Sequence, residues 1–277
     1  MILESSRELL VDRWRDGVQE RVIDRVAEEV PVALVYHGVS HAVMLATPAD
    51  LEDLAAGFTL SEGIVARSDE IHSLESVNNE DGSVSVNIGI ASTRFSDLLR
   101  RERNTTGRTG CGLCGAAKLE DAIRPPSSVP TGLEVSVADL HAALIDIRSH
   151  QRINSMTGSV HAAAWVTPDA GIELVREDVG RHNALDKVIG ALIRKRADIS
   201  RGWFLITSRA SYEMVQKSAT VGVSFLAAVS APTAFAVRLA QTSGLTLVGF
   251  ARERQHVVYA NPQRLIHSIR AGELNHA

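Results

Sequence analysis

The second half of the chain alternates apolar, strand-like runs with amphipathic helical stretches, and short loops join them. This alternation constrains the fold more than any other feature, because a helix that connects two parallel strands must pack back onto their sheet. It predicts an α/β lobe over residues 131–277, with a mostly parallel sheet covered by helices. The expected strands lie near residues 160–166, 172–177, 203–207, 224–229 and 245–250, and the expected helices near 137–150, 181–196, 212–221 and 233–241.

The first half of the chain has paired strands around one strong helix. An amphipathic stretch begins after Asp50 and ends at Gly63, which predicts a helix. Strands are expected at residues 32–36, 41–46, 71–77 and 84–90, a short helix at 92–101, and a further helix at 116–123. We therefore predict a smaller α+β lobe over residues 19–124, which ends in a Gly-rich loop at 104–115 and is followed by a Pro-rich linker at 125–130. The first 18 residues match no pattern that we can assign.

Charge and hydropathy exclude some classes of partner. The formal net charge of -4 argues against general nucleic-acid binding, although a local pocket for a small anion would be invisible in that total. The chain has no apolar run of about 18 residues, and its first residues carry acids and arginines where a signal peptide needs an apolar stretch. We expect a cytoplasmic protein with no membrane partner.

The two cysteines, Cys111 and Cys114, lie three positions apart between glycines. They are too close for an ordinary fold-stapling disulfide and too few for a structural zinc site. Neighbouring basic residues and the start of the next helix favour the thiolate, which is the form that attacks sulfur. From the residues alone, half a zinc site completed by His161 and His182, a redox dithiol and a persulfide carrier all stay open. Deaminase chemistry is disfavoured, because Ala163 stands where the general-base glutamate would follow His161.

Three loops follow predicted parallel strands and should meet at one edge of the sheet, where α/β proteins bind ligands. They span residues 208–211, 230–233 and 251–254 and contain Ser208, Arg209, Arg252 and Arg254. The first two loops also begin helices, whose free N–H groups favour phosphate. The alternative is that the serines are helix caps and the arginines are solvated side chains.

The segment 177–187 concentrates charge at a strand-to-helix junction. Helical spacing projects Arg181 onto the apolar stripe of the helix, with His182 and Asp186 at its border, and Arg181 could pair with an acid at 177 or 178. One interpretation is a buried ion-pair network that fixes the junction, and the other is a rim that faces a cofactor. His161, in an apolar strand, is typical of a hydrogen-bonded core residue.

Several motifs together resemble the FdhD family of formate dehydrogenase accessory proteins. They are the segments 111–115, 177–187, 208–217 and 245–252, in order and spacing, and the segments 61–63 and 230–233 fit as well. The resemblance covers nearly the whole chain and is far more specific than a CxxC pair alone. It implies a cytidine-deaminase-like fold in the second lobe without deaminase activity, a homodimer, and cytoplasmic work as a sulfurtransferase.

The family resemblance also implies roles for individual residues. Cys111 would carry a persulfide received from a cysteine desulfurase, with Cys114 as its partner, and formate dehydrogenase would be the client. The position that contacts the molybdenum cofactor, bis-molybdopterin guanine dinucleotide, corresponds here to Phe250, Ala251, Arg252, Glu253, Arg254 and Gln255. GDP would be a partial analogue of that cofactor. We add Ser208, Arg209, Arg181 and His182 as candidate cofactor-binding residues and expect no resident metal. The alternative function is a chaperone that holds the cofactor without carrying sulfur.

Overall fold

The computed structural model describes residues 3–103, 126 and 128–267. The two cysteines and the helix predicted at 116–123 lie outside the described residues. The chain divides into two compact units. Unit 1 comprises Met1–Pro126, Ser149–Ala163 and Val175–Asp198, and unit 2 comprises Ser127–Arg148, Ala164–Leu174 and Ile199–Ala277.

The described helices and strands follow the predicted order closely. The strands are β1 (Ser6–Arg15), β2 (Val18–Ala27), β3 (Val30–Tyr36), β4 (Val39–Ala46), β5 (Ile71–Asn78), β6 (Val84–Ile90), β7 (Val135–Ser136), β8 (His161–Thr167), β9 (Gly171–Asp178), β10 (Trp203–Ile206), β11 (Phe225–Ala228), β12 (Thr246–Arg252), β13 (Gln255–Ala260) and β14 (Leu265–Ile266). The helices are α1 (Leu51–Ser61), α2 (Ser92–Arg103), α3 (Val137–His150), α4 (Arg152–Thr157), α5 (Arg181–Arg194), α6 (Tyr212–Thr220) and α7 (Ala234–Ser243).

A four-stranded sheet in the order β4-β3-β6-β5 forms the core of unit 1. Alternate residues of β3 and β6 are buried, as expected for strands that present one face to a core. The apolar side chains of that face pack with Leu51 and Leu54 of α1. The predicted helix and hairpin of this region are confirmed, since α1 ends two residues before Gly63 and β3 pairs antiparallel with β4.

Helices α1 and α5 of unit 1 touch through two glycines. A Cβ atom added at Gly57 would lie 1.8 Å from the carbonyl oxygen of Asp186, and one added at Gly190 would lie 1.8 Å from that of Asp53. No side chain fits in either gap, so the two backbones pack directly against each other. This contact groups α5 with the first half of the chain.

A six-stranded sheet has the order β13-β12-β11-β10-β8-β9. Strands β10, β11 and β12 are parallel neighbours, and every residue of β10 and β11 is buried. Helices α6 and α7 connect these three strands, which confirms the alternation predicted for this region. Strand β13, which the sequence did not predict, pairs antiparallel with β12 and closes one side of the sheet.

Two features differ from the predictions. Residues before 19, which had no predicted structure, form half of a hairpin in which β1 pairs with β2 from Ser6 opposite Ala27 to Arg15 opposite Val18. The compact units are also not the predicted consecutive lobes 19–124 and 131–277, because residues 149–163 and 175–198 belong to unit 1. For residues 175–198, the glycine contact between α1 and α5 supplies the link to the first half of the chain. Within the described residues, no helix has the length and hydropathy needed to cross a membrane.

Candidate functional site

The three predicted loops converge in unit 2 at the carboxyl ends of the parallel strands. The amide of Thr233 donates to the carbonyl of Ala210 at 3.0 Å, which ties the loop after β11 to the loop after β10. The amide of Phe250 donates to the carbonyl of Ser230 at 3.2 Å, which ties β12 to the loop after β11. Backbone hydrogen bonds therefore hold the segments near residues 210, 230 and 250 side by side.

Two helices begin at this edge, as the sequence predicted. Ser211 is the N-cap of α6 and Thr233 is the N-cap of α7. The Thr233 hydroxyl accepts a hydrogen bond from the amide of Ala236 at 3.3 Å, whereas the Ser211 hydroxyl donates to the Glu213 carboxylate at 3.2 Å. In the first turn of each helix, the backbone N–H groups that have no capping side chain as acceptor are suited to bind the oxygens of an anion.

The predicted cofactor segment 250–255 is less of a loop than expected. Strand β12 continues to Arg252, which pairs with Gln255 of β13, so that only Glu253 and Arg254 form the turn. Pairing with β13 explains the difference, because the antiparallel partner extends the strand beyond its apolar run. Ala251 is buried, and the four residues from Arg252 to Gln255 are exposed.

Phe250 lies in an unusual backbone conformation at the same edge. Its φ of 48° falls in the left-handed region, which a bulky residue adopts rarely and only when its surroundings impose it. Its side chain is 41% exposed although it is aromatic. The hydrogen bond from its amide to Ser230 is one interaction that holds it there.

Ser208 and Arg209 follow β10 at this edge. Ser208 is buried and its hydroxyl donates to the carbonyl of Arg209 at 3.1 Å, which suits a structural role in the loop. Arg209 is exposed. The edge therefore offers three exposed guanidinium groups, those of Arg209, Arg252 and Arg254, near two helix N-termini.

In unit 1, the charged junction contains a buried ion pair. Asp178 and Lys187 are both fully buried, and the ammonium donates to the carboxylate at 2.5 Å. The carboxylate also accepts from the amides of Thr47 and Gly180 and from the side chain of Asn183, at 2.8–3.0 Å. Burial lowers the pKa of Lys187, and the charge of Asp178 opposes that shift. For these two residues the structure supports the interpretation as a buried network.

Other acids of the region have structural partners as well. Glu177 accepts hydrogen bonds from the amides of Ile153 and Asn154 at 2.8 Å and so caps α4. Asp186 accepts from the hydroxyl of Ser61 at 2.7 Å, which joins α5 to α1. Sequence reasoning anticipated the acids at 177 and 178 as partners of Arg181 and did not find these contacts, because their donors lie more than 20 residues away.

A second ionic group joins α1, β9 and α5. Asp53 is buried and accepts from the guanidinium of Arg176 at 2.8 and 3.0 Å and from that of Arg194. From the sequence alone, Asp53 is interpreted as one of the solvated or capping acids at the start of α1, and that interpretation is wrong, because its side chain is buried and paired with two arginines. Its only local signal is its place in the first turn of α1, where a carboxylate is common for reasons of helix electrostatics.

Arg181 and His182 open α5, and His161 begins β8. The Nε atom of Arg181 is buried and has no hydrogen-bond partner among the described residues. Burial lowers the pKa of His161, and the nearby charges of Arg181 and His182 lower it further. Arg181, His182 and His161 form a partly exposed basic cluster in unit 1. His161 therefore belongs with the candidate residues Arg181 and His182 rather than with the apolar core.

Comparisons with known proteins bear on the family and the fold of the chain. The model of the FdhD/NarQ family matches residues 27–266. A protein named sulfur carrier protein FdhD from Cupriavidus necator is 55% identical over 257 residues, which cover 93% of this chain and 89% of that protein. One of the same name from Xanthomonas euvesicatoria is 49% identical over 263 residues, which cover 95% of this chain and 93% of that one.

A solved structure supports the fold. The crystal structure of a protein from Desulfotalea psychrophila, assigned as a formate dehydrogenase accessory protein, matches with a TM-score of 0.74. The match covers 95% of this chain and all of that chain at 22% identity, so it bears on the fold alone. Together with the family match over most of the sequence, these likenesses lead to one conclusion: the chain belongs to the FdhD/NarQ family.

Proposed function

We propose that this protein is a sulfur carrier that serves the maturation of formate dehydrogenase. One observation carries the proposal: the chain is 55% identical, over 93% of its length, to a protein named as a sulfur carrier. Two proteins that share this much sequence over nearly their whole lengths are expected to share both the fold and the site. The convergent edge of unit 2 and the CxxC pair supply the two chemical parts that such a carrier needs, an anion-binding surface and a thiol.

Sulfur loading takes place on Cys111. Its thiolate attacks the outer sulfur of a persulfide on a cysteine desulfurase, the desulfurase thiolate leaves, and Cys111 then carries the sulfur as a persulfide. Release as sulfide needs two electrons. The Cys114 thiolate supplies them by attacking the inner sulfur of the Cys111 persulfide, which forms a disulfide between the cysteines and frees the outer sulfur. A dithiol reductant then restores both thiols for the next cycle.

The receiving substrate is bis-molybdopterin guanine dinucleotide, which carries phosphates. The support for its binding at the edge of unit 2 is chemical: two helix N-termini and the guanidinium groups of Arg209, Arg252 and Arg254 suit phosphate oxygens. Each charge-assisted hydrogen bond contributes about 1.5–3 kcal/mol if the cofactor displaces water, and much less while the arginine stays exposed. Arg181 and His182 are further cofactor-binding candidates, on the basic cluster of unit 1.

The proposal includes finer expectations that follow from the family. Unit 2 is related to cytidine deaminases in fold without their activity, and the protein works in the cytoplasm as a homodimer. Its partners are a cysteine desulfurase as sulfur donor and formate dehydrogenase as client. The six-stranded sheet with helices between its parallel strands is compatible with that fold relationship.

Intact-mass spectrometry after incubation with a desulfurase and cysteine tests the proposal. The parent protein should gain one sulfur atom, Cys111→Ala should gain none, and Cys114→Ala should load but fail to release sulfide. Sulfur gain by Cys111→Ala equal to the parent would reject the role of that residue. A parent that binds GDP but never gains sulfur would instead identify the protein as a chaperone for the cofactor.

A further inference from the structure

Three histidines from separate parts of the sequence lie together in unit 2. His141 belongs to α3, His256 to β13, and His267 follows β14. The Nε2 atom of His141 and the Nδ1 atom of His256 are 3.1 Å apart, and the ring centroids of His256 and His267 are 5.9 Å apart. Sulfur transfer as proposed above uses none of the three, and their sequence spacing of 115 and 11 residues gives no metal-site motif.

The separation of the first two nitrogens is close to what one metal ion requires. Two imidazole nitrogens bound to the same tetrahedral Zn²⁺, at about 2.0–2.1 Å each, are roughly 3.3 Å apart. The rings of His141 and His256 meet at 61° with centroids 5.3 Å apart, and their facing nitrogens point at each other across the hydrogen bond. Turning both rings, so that each facing nitrogen leaves the line between them on the same side, converts the hydrogen-bonded pair into two ligands.

His267 can supply the third ligand. It is exposed, while His141 and His256 are half-buried, so its side chain can turn without disturbing the core. Throughout the described ranges, no three His, Cys, Asp or Glu side chains already converge to hold a metal ion, and the third histidine must move to complete the set. Three imidazoles with an open fourth position for water are a donor set typical of zinc and of nickel or copper, and not of magnesium or calcium.

The proton between the first two rings does not prevent binding. In the hydrogen bond, one facing nitrogen carries a proton and the other accepts it. When the donor ring changes tautomer, through exchange with water, that proton moves to its outer nitrogen, and both facing nitrogens then have a lone pair. Both rings stay neutral and no net proton is lost.

We infer that His141, His256 and His267 form a zinc-binding site that closes around the ion. The site joins α3 to β13, which is paired with β12 and its exposed turn at residues 253–254. A bound ion would therefore hold the hairpin that carries residues 250–255 against α3. Its role is to order this hairpin, and it takes no part in sulfur chemistry.

The test is titration with Zn²⁺ alone, in competition with a chromophoric chelator. It uses the full chain without an affinity tag and with Cys111→Ser and Cys114→Ser, so that thiols do not bind the metal. One equivalent should bind, and His256→Gln should weaken binding at least tenfold. His72→Gln is the matched control, because His72 is exposed on β5 of unit 1, and it should leave the affinity unchanged.

Further variants separate the ligands from the fold. His141→Gln and His267→Gln should each weaken zinc binding as well, and zinc should raise the melting temperature of the parent but not of these variants. If His256→Gln does not fold, the other two variants still decide the question. Absence of a bound equivalent at micromolar zinc would overturn the inference, as would affinity unchanged by all three substitutions. Affinity unchanged by His267→Gln alone would overturn the three-histidine site.

Discussion

Lys187 offers the sharpest test of how the charged junction works. Its ammonium is fully buried and donates to the Asp178 carboxylate at 2.5 Å, to the carbonyl of Thr47 at 3.0 Å and to that of Glu177 at 3.4 Å. All three of its protons thus have acceptors. The substitution Lys187→Met keeps most of the volume of the side chain and removes only the charge and its donors.

The loss in the free energy of unfolding caused by Lys187→Met depends on the groups that remain around Asp178. Its carboxylate would stay buried without its counter-ion, and breaking a buried pair from one side costs about 3–5 kcal/mol. Three donors remain, from Thr47, Gly180 and Asn183, so we expect a loss near the lower end, about 3 kcal/mol. With an unfolding entropy of about 2.1 cal/mol/K per residue, a loss of that size lowers the melting temperature of a 277-residue protein by roughly 5 °C.

Urea denaturation of Lys187→Met, with Lys195→Met as the control, measures this loss. Lys195 is exposed at the end of α5, so its substitution should change the free energy of unfolding by less than about 0.5 kcal/mol. In the double variant with Asp178→Asn the two losses should be less than additive, by about 1 kcal/mol or more, because the pair interacts directly. A loss within about 1 kcal/mol of the control would refute the buried network and favour a solvent-facing or cofactor-facing rim.

Three other outcomes are expected. Gly57→Ala should destabilise the protein by about 3 kcal/mol or more in urea denaturation, because helices α1 and α5 must separate to admit the methyl group. Helix propensity alone would favour alanine by up to about 1 kcal/mol, and the exposed helical variant Ala142→Gly measures that propensity. A Gly57→Ala protein more stable than the parent would contradict the close contact. Arg252→Ala combined with Arg254→Ala should weaken GDP binding about tenfold or more by calorimetry and leave sulfur loading intact, and unchanged affinity would move the cofactor site elsewhere. The pKa of His161 in the folded state lies below its unfolded value near 6.5, so the unfolded state binds more protons between those two pH values. The free energy of unfolding should therefore fall as the pH drops through that window. In thermal melts from pH 7 to pH 5, His161→Gln should make this fall smaller.

Much of the architecture could be predicted because its signals are local. The apolar runs of β10, β11 and β12 and the helices between them have periodicities that no tertiary contact overrides, and the structure confirms them within a few residues. The N-cap at Ser211 was readable for the same reason, whereas the cap of α7 is Thr233, which was predicted as the first residue of that helix. The convergence of the three loops followed from the topology of parallel strands.

Elements whose stability comes from a partner escaped prediction. Strand β1 is polar over most of its length, and it is a strand because β2 pairs with it through ten residue positions. Strand β13 extends β12 past the end of its apolar run by the same kind of pairing. The polar pattern of β1 gave little local signal, whereas the run of β-branched and aromatic residues from Val257 to Tyr259 in β13 was a local strand signal that the prediction missed.

By itself, the sequence determined the family and the strand and helix order of the second half, and it predicted a reactive cysteine pair and a phosphate-suited edge of the sheet, since each depends on motifs or on short-range periodicity. Only the tertiary structure decided that Asp178 and Lys187 form a buried pair, that Asp53 joins two arginines, and that Gly57 marks a contact between two helices. The physical reason is the same in each case. Burial, close backbone approach and ion pairing depend on distances between residues that are far apart in the chain, and a sequence records the identity of those residues but not which of them meet.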